Sequence, residues 1–373
     1  MVGDELQSFE LGFVDNIEHG PLPLTRLKAL KLMPVMAASN YSLEKDALTA
    51  QWFTASGDVS PLQGHTSLGY DGSTDNTASM PPMTLTHADG TSFKFAGLEL
   101  EATGTKDAEK VKISGRSGGL SLNLIGPDQA PLNIELNGLS LAGDLSKTTY
   151  GFYVGTMNVA LSDTKATLGA QQKVLLMKNL EQNNQYAADG DKISGKLVYK
   201  VGDINFDGKP VGSSEMVWDF KRFDIPAMQS LITWYQGRLP EFQAAAAQGQ
   251  AVPALPMTEA EKAKVAADVQ QVLAGKPQVA LENFSFKTAN GESRFSLSVD
   301  LAQPASLELP PAELYKQMIT QVQSKLQLSK PMIGDLAVLQ AKLDGQSDAQ
   351  VLSAQANQTG EIEYSKAAAM LAE

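Results

Sequence analysis

The sequence predicts an α+β protein: a large antiparallel β-sheet body, folded as a meander, is followed by helices and one further β-hairpin. Three observations support this prediction. Up to about residue 222, apolar residues recur at every second position, the period of a strand with one buried face. From residue 226 the apolar period becomes helical. Later, Asn290–Gly291 separates two more alternating runs, and this dipeptide is a strong hairpin signal.

Residues 1–225 are predicted to form the β-rich body. Glycine-containing turn signals separate its alternating runs at hairpin-length spacing, which favours antiparallel pairing of successive strands. These turn signals are Ala88–Gly90, Arg116–Gly119, Gly126–Asp128 and Phe206–Lys209. The alternating runs include Phe93–Phe95, Val111–Ile113, Leu120–Leu124, Leu132–Leu141, Ile193–Phe206 and Met216–Phe220.

One exception inside the body is a short helical segment near residues 26–40. Its apolar residues are three positions apart, which suits a short helix preceded by a loop: Leu27, Leu30, Met33 and Met36. Pro34 would interrupt or kink such a helix, because proline lacks the amide hydrogen. The alternative is an extended segment packed across the end of the sheet.

The large aromatic residues are predicted to serve the core. Alternation from Leu48 to Phe53 predicts a strand that carries Trp52. Trp218 lies in an alternating run and Trp234 lies on a predicted helix. Core packing is the usual role of such large side chains, so we expect it for all three tryptophans.

Residues 226–275 are predicted to be a helical segment. Pro226 suits the first turn of a helix and Asp224 suits its cap, while Pro240 is expected to end or loosen this helix. Thr258 and Glu261 then form a capping box at the start of a second helix.

Residues 276–310 are predicted to return to the sheet as a β-hairpin, and residues 311–373 to form a helical C-terminal region. An apolar stripe predicts a helix over residues 311–327: Leu314, Met318, Val322 and Leu326. The chain begins close to a predicted strand, shows no signal peptide, and stops inside a helical pattern. We therefore expect the full-length protein to continue at both ends.

Composition excludes several classes of partner and site. A net charge of -12 argues against nucleic acid, which needs clustered cations, and against simple electrostatic docking on anionic lipid. The chain has no cysteine, which excludes disulfides, thiolate metal sites and a cysteine nucleophile. Such a composition is compatible with an oxidising compartment.

No sequence motif predicts catalysis, a cofactor or a metal. The three histidines are His19, His65 and His87, and none has a partner at metal-ligand spacing. We expect His65 and His87 to be solvated residues at turns, and His19 to stabilise the turn before Pro21. Nucleophile elbows, P-loops and dinucleotide-binding glycine motifs are absent. Asp203–Gly208 is interpreted as a hairpin turn and not as a calcium loop.

The most specific part of the sequence runs from Glu18 to Leu27 and continues to Ala37. It resembles a signature of the YdgA-like family of Gram-negative cell-envelope proteins. The signature residues, which we expect to be structural, are His19, Gly20, Pro21, Pro23, Leu27, Pro34, Trp52 and Gly57. The resemblance implies an extracytoplasmic body on the periplasmic side of the inner membrane, held by a hydrophobic anchor that precedes it. The family has no established catalytic residues to carry over.

Two hypotheses about function follow, together with a third about assembly. The first is a non-enzymatic, membrane-anchored envelope protein that binds a lipid or protein partner through an apolar groove between sheet and helices. The second is a hydrolase that acts on an envelope polymer, which requires convergent carboxylates or a histidine-paired hydroxyl with shifted pKa values. The third is a homodimer in which the helices predicted over residues 258–274 and 311–327 pair between copies.

Overall fold

The computed structural model describes residues 11–28, 30–125, 131–169, 171–247 and 257–343. Within these ranges the chain forms sixteen strands, six α-helices and one 3₁₀ turn at Lys106–Ala108. The helices are α1 Leu24–Lys28, α2 Ala50–Ala55, α3 Ile225–Ala247, α4 Glu259–Ala274, α5 Pro311–Met318 and α6 Lys330–Leu343. The predicted C-terminal helices beyond Leu343 lie outside the described residues.

The strands pair mainly with their neighbours in sequence. They are β1 Phe13–His19, β2 Ala37–Leu43, β3 Gln63–Leu68, β4 Thr74–Met80, β5 Met83–Thr86, β6 Ser92–Phe95, β7 Leu98–Gly104, β8 Lys110–Ile125, β9 Pro131–Lys147, β10 Tyr153–Leu168, β11 Lys173–Asp189, β12 Lys192–Phe206, β13 Lys209–Asp224, β14 Gln278–Lys287, β15 Glu292–Leu301 and β16 Ile319–Gln327. Hydrogen-bonded order follows chain order except that β4 pairs with β7, and β5 and β6 branch off to pair with each other and with β8. The registered pairs are antiparallel, so the α+β class with a large meander sheet is confirmed.

The chain divides into two compact units. The first unit contains residues 1–147, 155–182 and 201–211. Strands β1 to β9 dominate it, and most of their residues are only half-buried. Its buried apolar side chains are Val35 of the loop before β2, Ala38 and Leu43 of β2, and Phe53 of α2.

The second unit contains residues 148–154, 183–200 and 212–373. Its centre is the predicted hairpin of β14 and β15, flanked by β13 and β16. Helix α4 starts with the predicted capping box, since Thr258 and Glu261 exchange side-chain to backbone hydrogen bonds. Buried apolar residues of this unit lie where helices meet strands: Val217, Ile225, Ala227, Val272, Leu273, Ala280, Met332 and Ala341.

The structure corrects two local predictions between residues 26 and 55. The short helical segment was predicted near residues 26–40, but the helix ends at Lys28. The last residues of that segment belong to β2, which covers residues 37–43. The segment from 48 to 53 is no strand, since α2 occupies Ala50–Ala55. Asp46 explains this second error, because its carboxylate accepts hydrogen bonds from the amides of Leu48 and Thr49 just ahead of α2.

The glycine pair Gly118–Gly119 is also not a turn. Strand β8 runs through it without a break, pairing with β7 before the glycines and with β6 after them. The amide of Ala96 donates a 2.9 Å hydrogen bond to the carbonyl oxygen of Gly119 where β6 gives way to β7. Small residues are needed here because another backbone approaches closely. In the sequence, a glycine pair required for such a close approach looks the same as a glycine pair in a turn.

The helix predicted over residues 311–327 is wrong in its second half. Helix α5 stops at Met318, and residues 319–327 form β16, whose register pairs Val322 with Val299. The β-branched Ile319, Thr320 and Val322 favour a strand, and the neighbouring β15 offers its backbone hydrogen-bonding groups. Helix α3 likewise continues through Pro240 to Ala247, where an end or loosening was expected.

Candidate functional site

The signature residues between β1 and β2 form a closed loop, here called the signature loop (residues 20–36). The amide of Gly20 donates to the carbonyl oxygen of Met36 at 3.2 Å, and the amide of Val35 donates to that of Pro21 at 3.1 Å. These bonds join the two ends of the loop. Gly20 has φ +112°, a conformation that residues with a side chain rarely adopt.

Glu18 holds the helix inside this loop. Its carboxylate accepts hydrogen bonds from the amide and the hydroxyl of Thr25, at 3.1 and 2.9 Å. These two bonds lower the pKa of Glu18. Within α1 the amide of Leu27 donates to the carbonyl oxygen of Pro23, whose own side chain is buried. The sequence HGPLPLTRL therefore folds locally into a capped helical turn.

The eight signature residues lie in two places. His19, Pro21 and Pro34 are exposed on or beside the signature loop, and no hydrogen bond or ion pair joins His19 to a carboxylate of the described residues. Trp52 is half-buried inside α2, and Gly57 follows the C-cap residue Ser56 with φ +71°. The structural role of these eight residues stays a prediction.

Sequence reasoning misjudged His65 and passed over Arg26. His65 lies half-buried in β3 with its Nδ1 2.8 Å from Oδ1 of Asn40, so it is not a solvated turn residue. Burial lowers the pKa of His65, and the cations of Lys31 and Arg26 lower it further. Arg26 is only 6% exposed. Its position in the middle of the signature was the only signal that could have indicated it.

The second unit contains an apolar pocket of about 360 Å³ between strands and helix α3. All its lining residues are apolar: Phe152, Ile193, Phe220, Phe223, Ile225, Met228 and Ile232. The residues from α3 are three and four positions apart, so they share one face of that helix. The pocket is therefore lined by strands that the alternation predicted, β12 and β13, and by the helix that the apolar spacing after residue 225 predicted.

Phe220, which lines the pocket, packs against two other aromatic rings. The ring centroid of Phe220 lies 6.1 Å from that of Tyr186 and 5.9 Å from that of Phe223, which it meets edge to face. Gly195 makes room for the ring, because a methyl group at that position would collide with Phe220. Burial also raises the pKa of Tyr186.

Asp224 fixes the start of α3 beside the pocket. Its buried carboxylate accepts hydrogen bonds from the amide of Ala227 (2.9 Å), the Lys192 ammonium (2.7 Å) and the Gln271 side-chain amide (3.1 Å). The first bond is the predicted helix cap, and the other two connect α3 to β12 and to α4. Burial raises the pKa of Asp224, but these hydrogen bonds together lower it below its ordinary value.

Acidification should therefore destabilise the second unit. In the folded state the pKa of Asp224 and that of Asp335 are both lowered. Burial raises the pKa of Asp335, but hydrogen bonds from Thr288 and Asn290 lower it by more. A lowered pKa stabilises the fold above the unfolded value of about 4, and this contribution is lost as pH falls through the folded-state value. We expect urea midpoints to fall steadily below about pH 4. A midpoint that does not change between pH 5 and pH 3 would contradict this prediction.

In the described ranges, no group of three histidine or acidic residues is arranged to hold a metal ion. Asp219 and Glu282 are neighbouring carboxyls: burial and the neighbouring Glu282 raise the pKa of Asp219, and Lys196 lowers that of Glu282. Neither carboxyl lines the apolar pocket. No helix in the described part of the chain has both the length and the apolar character needed to cross a membrane.

Comparison with known proteins agrees with the resemblance carried by the signature. Protein YdgA of Escherichia coli is 24% identical over 346 residues, which cover 91% of this chain and 68% of that protein. Uncharacterized protein YihF of E. coli is 22% identical over 87% of this chain and 69% of its own length. An uncharacterized protein of Haemophilus influenzae is 22% identical over 57% of this chain and 60% of its own length.

No solved structure matches the chain significantly. The model of a bacterial family of unknown function, DUF945, matches residues 1–373, which is the whole chain. The chain therefore belongs to the DUF945 family of bacterial proteins.

Proposed function

We propose that this protein is a non-enzymatic cell-envelope protein that binds a lipid, or a hydrophobic segment of a partner protein, in the apolar pocket of the second unit. The observation that carries the proposal is the pocket itself, whose seven lining residues are all apolar. A volume of about 360 Å³ lies in the range of ligand sites. Such a pocket offers no hydrogen bond to a polar substrate.

An acyl chain suits this pocket better than a polar ligand. Each methylene group removed from water contributes about 0.8 kcal/mol, so a few methylenes against the Phe220 and Phe223 rings give useful affinity. A polar group at the same position would lose its hydration without compensation. Helix α3 covers the pocket with Met228, whose unbranched thioether adapts to ligands of different shape.

The proposal extends to location. The YdgA-like resemblance implies a position on the periplasmic side of the inner membrane, where an anchor would hold the full-length protein. Similarity to protein YdgA over 91% of the chain supports the resemblance itself. Fractionation of cells that express the full-length protein tests the location: we expect it in the inner-membrane fraction, and recovery in the cytoplasm would contradict the proposal.

Native mass spectrometry combined with organic extraction tests the pocket. We expect purified wild-type protein to carry fatty acid or phospholipid, and Met228→Trp to lose it, because the larger ring fills the cavity. Gln229→Trp is the matched control, since Gln229 is the next residue of α3 and is exposed. Bound lipid at wild-type level in Met228→Trp would contradict the assignment. The same spectrum distinguishes a monomer from the homodimer considered above.

A hydrolase acting on an envelope polymer is a second candidate, and one observation favours it. The pKa values of Asp219 and Glu282 are displaced in opposite directions, as a general acid and a general base require. Lys196 lies 2.7 Å from Glu282 and Lys221 lies 3.2 Å from Asp219. These ion pairs give both carboxyl groups a structural role that needs no catalysis. Release of soluble fragments from purified envelope polymer, abolished in Asp219→Asn, would establish the hydrolase instead.

A further inference from the structure

Arg26 is a buried cation that forms no ion pair with any of the described residues. Its guanidinium makes one hydrogen bond, from Nη2 to the carbonyl oxygen of Met33 at 3.3 Å. The other two nitrogens, Nε and Nη1, are buried and have no hydrogen-bond partner among the described residues. A buried charge without a counter-charge is strongly unfavourable, so native proteins rarely keep one unless something else satisfies it.

A second unsatisfied donor lies on the sheet nearby. Asn40 of β2 faces His65 of β3 in the register, and its Nδ2 is buried without a partner while its Oδ1 meets the His65 ring. The pair two residues along, Ala38 and Ser67, lies on the same sheet face, because side chains alternate along a strand. Ser67 is buried and borders the same groove as Arg26.

This groove has a volume of about 650 Å³ and lies beneath the signature loop. Met33, Pro34 and Val35 form its loop side, and most of the rest comes from strands β3, β4, β7 and β8 and from the turn between β3 and β4. Its cations are Arg26, Lys110 and Lys112, and its carboxylates are Asp71 and Asp75. The Asp71 carboxylate already accepts hydrogen bonds from the amide and the hydroxyl of Ser73. The Lys112 ammonium lies 3.5 Å from the Asp144 carboxylate.

The local charge contrasts with that of the whole chain. Between Glu18 and Glu44 the sequence contains three cations, Arg26, Lys28 and Lys31, and no acidic residue, whereas the chain carries a net charge of -12. Lys31 and Arg26 are both close enough to His65 to lower its pKa. The groove therefore contains three cations, Arg26, Lys110 and Lys112, whose charge its two carboxylates, Asp71 and Asp75, only partly balance.

We propose that the groove beneath the signature loop binds the phosphate group of a ligand, with Arg26 as the residue that receives it. Phosphate is an acceptor that can take two parallel hydrogen bonds from the guanidinium fork. The unsatisfied Nδ2 of Asn40 is a second donor on the adjacent sheet, and Lys110 of the groove and Lys31 add long-range attraction. The phosphate belongs either to a lipid headgroup or to a small soluble compound. This site is independent of the apolar pocket, which lies in the other unit.

Thermal unfolding in inorganic phosphate is the first test, against chloride at equal ionic strength to remove general screening. Wild-type protein should gain melting temperature as phosphate is added. Arg26→Met should be at least as stable as wild type without phosphate, because an uncompensated charge is removed, and should bind phosphate about tenfold more weakly or worse. Lys28→Gln, an exposed change in the same loop, should respond like wild type.

Sedimentation with phosphatidylglycerol vesicles distinguishes the two sources of phosphate. Co-sedimentation that Arg26→Met abolishes indicates a headgroup, and a response to inorganic phosphate alone indicates a soluble compound. If Arg26→Met fails to fold, Lys31→Gln provides the same test, since it should weaken phosphate binding several-fold while leaving the buried face intact. Wild-type protein that responds to neither probe, or variants of Arg26 and Lys31 that both respond like wild type, would overturn the proposal.

Discussion

Replacement of Asp224 by alanine should lower the free energy of unfolding of the second unit by about 3 kcal/mol. The change removes the cap of α3 and leaves the Lys192 ammonium, which is 26% exposed, without its closer carboxylate. The bond from Gln271 of α4 is lost as well. Urea titration followed by circular dichroism measures the effect, with the transition expected at clearly lower urea than for wild type.

Asp191→Ala is the matched control for this change. Asp191 contacts the same lysine at 3.2 Å, but its side chain is 48% exposed, so its removal should cost less than about 1 kcal/mol. If the two variants unfold at the same urea concentration, the buried network around Asp224 does not hold the helices as we infer. Trp234 lies on α3, so displacement of this helix should also change tryptophan fluorescence.

Gly119→Ala should cost the first unit about 3 kcal/mol, for a different reason. Gly119 lies in β8 with φ +152°, and a methyl group there would collide with the carbonyl oxygen of Leu136 on the neighbouring strand. The alanine must therefore either adopt a strained backbone or separate β8 from β9. Thermal unfolding of the variant should show a lower transition temperature for this unit.

Gly169→Ala is the control that measures the cost of backbone strain without a steric collision. Gly169 also has a positive φ, +68°, but no atom lies within 4 Å of a methyl group at its position. Its replacement should cost about 1 kcal/mol, which is the strain alone. Equal losses at Gly119 and Gly169 would show that the close approach of Leu136 contributes nothing.

Local patterns predicted most of the strands and helices, because backbone hydrogen bonding and side-chain period are properties of neighbouring residues. The hairpin at Asn290–Gly291, the cap at Asp224 and the capping box of α4 follow from a few residues each. The errors arose where an element depends on a distant partner. Residues 319–327 form β16 because β15 lies beside them, and no period in the sequence contains that information.

The two candidate sites differ in the same way. Apolar residues of β12, β13 and α3 were recognised as core-facing, but the sequence did not show that they would leave a cavity. The phosphate groove was missed entirely. In the sequence Arg26 is only one charged residue among prolines and leucines. Its burial depends on the closure of the loop between Gly20 and Met36.

Composition and short spacings were enough to predict the class of the fold, the change from strands to helices near residue 225 and the family. They also showed that the sequence has no catalytic or metal-binding motif. Which donors remain unsatisfied, and where apolar side chains leave a cavity, became visible only in the folded chain. Both depend on distances between residues far apart in the chain, such as Arg26 and His65 or Ile193 and Met228, which pairing and packing alone set.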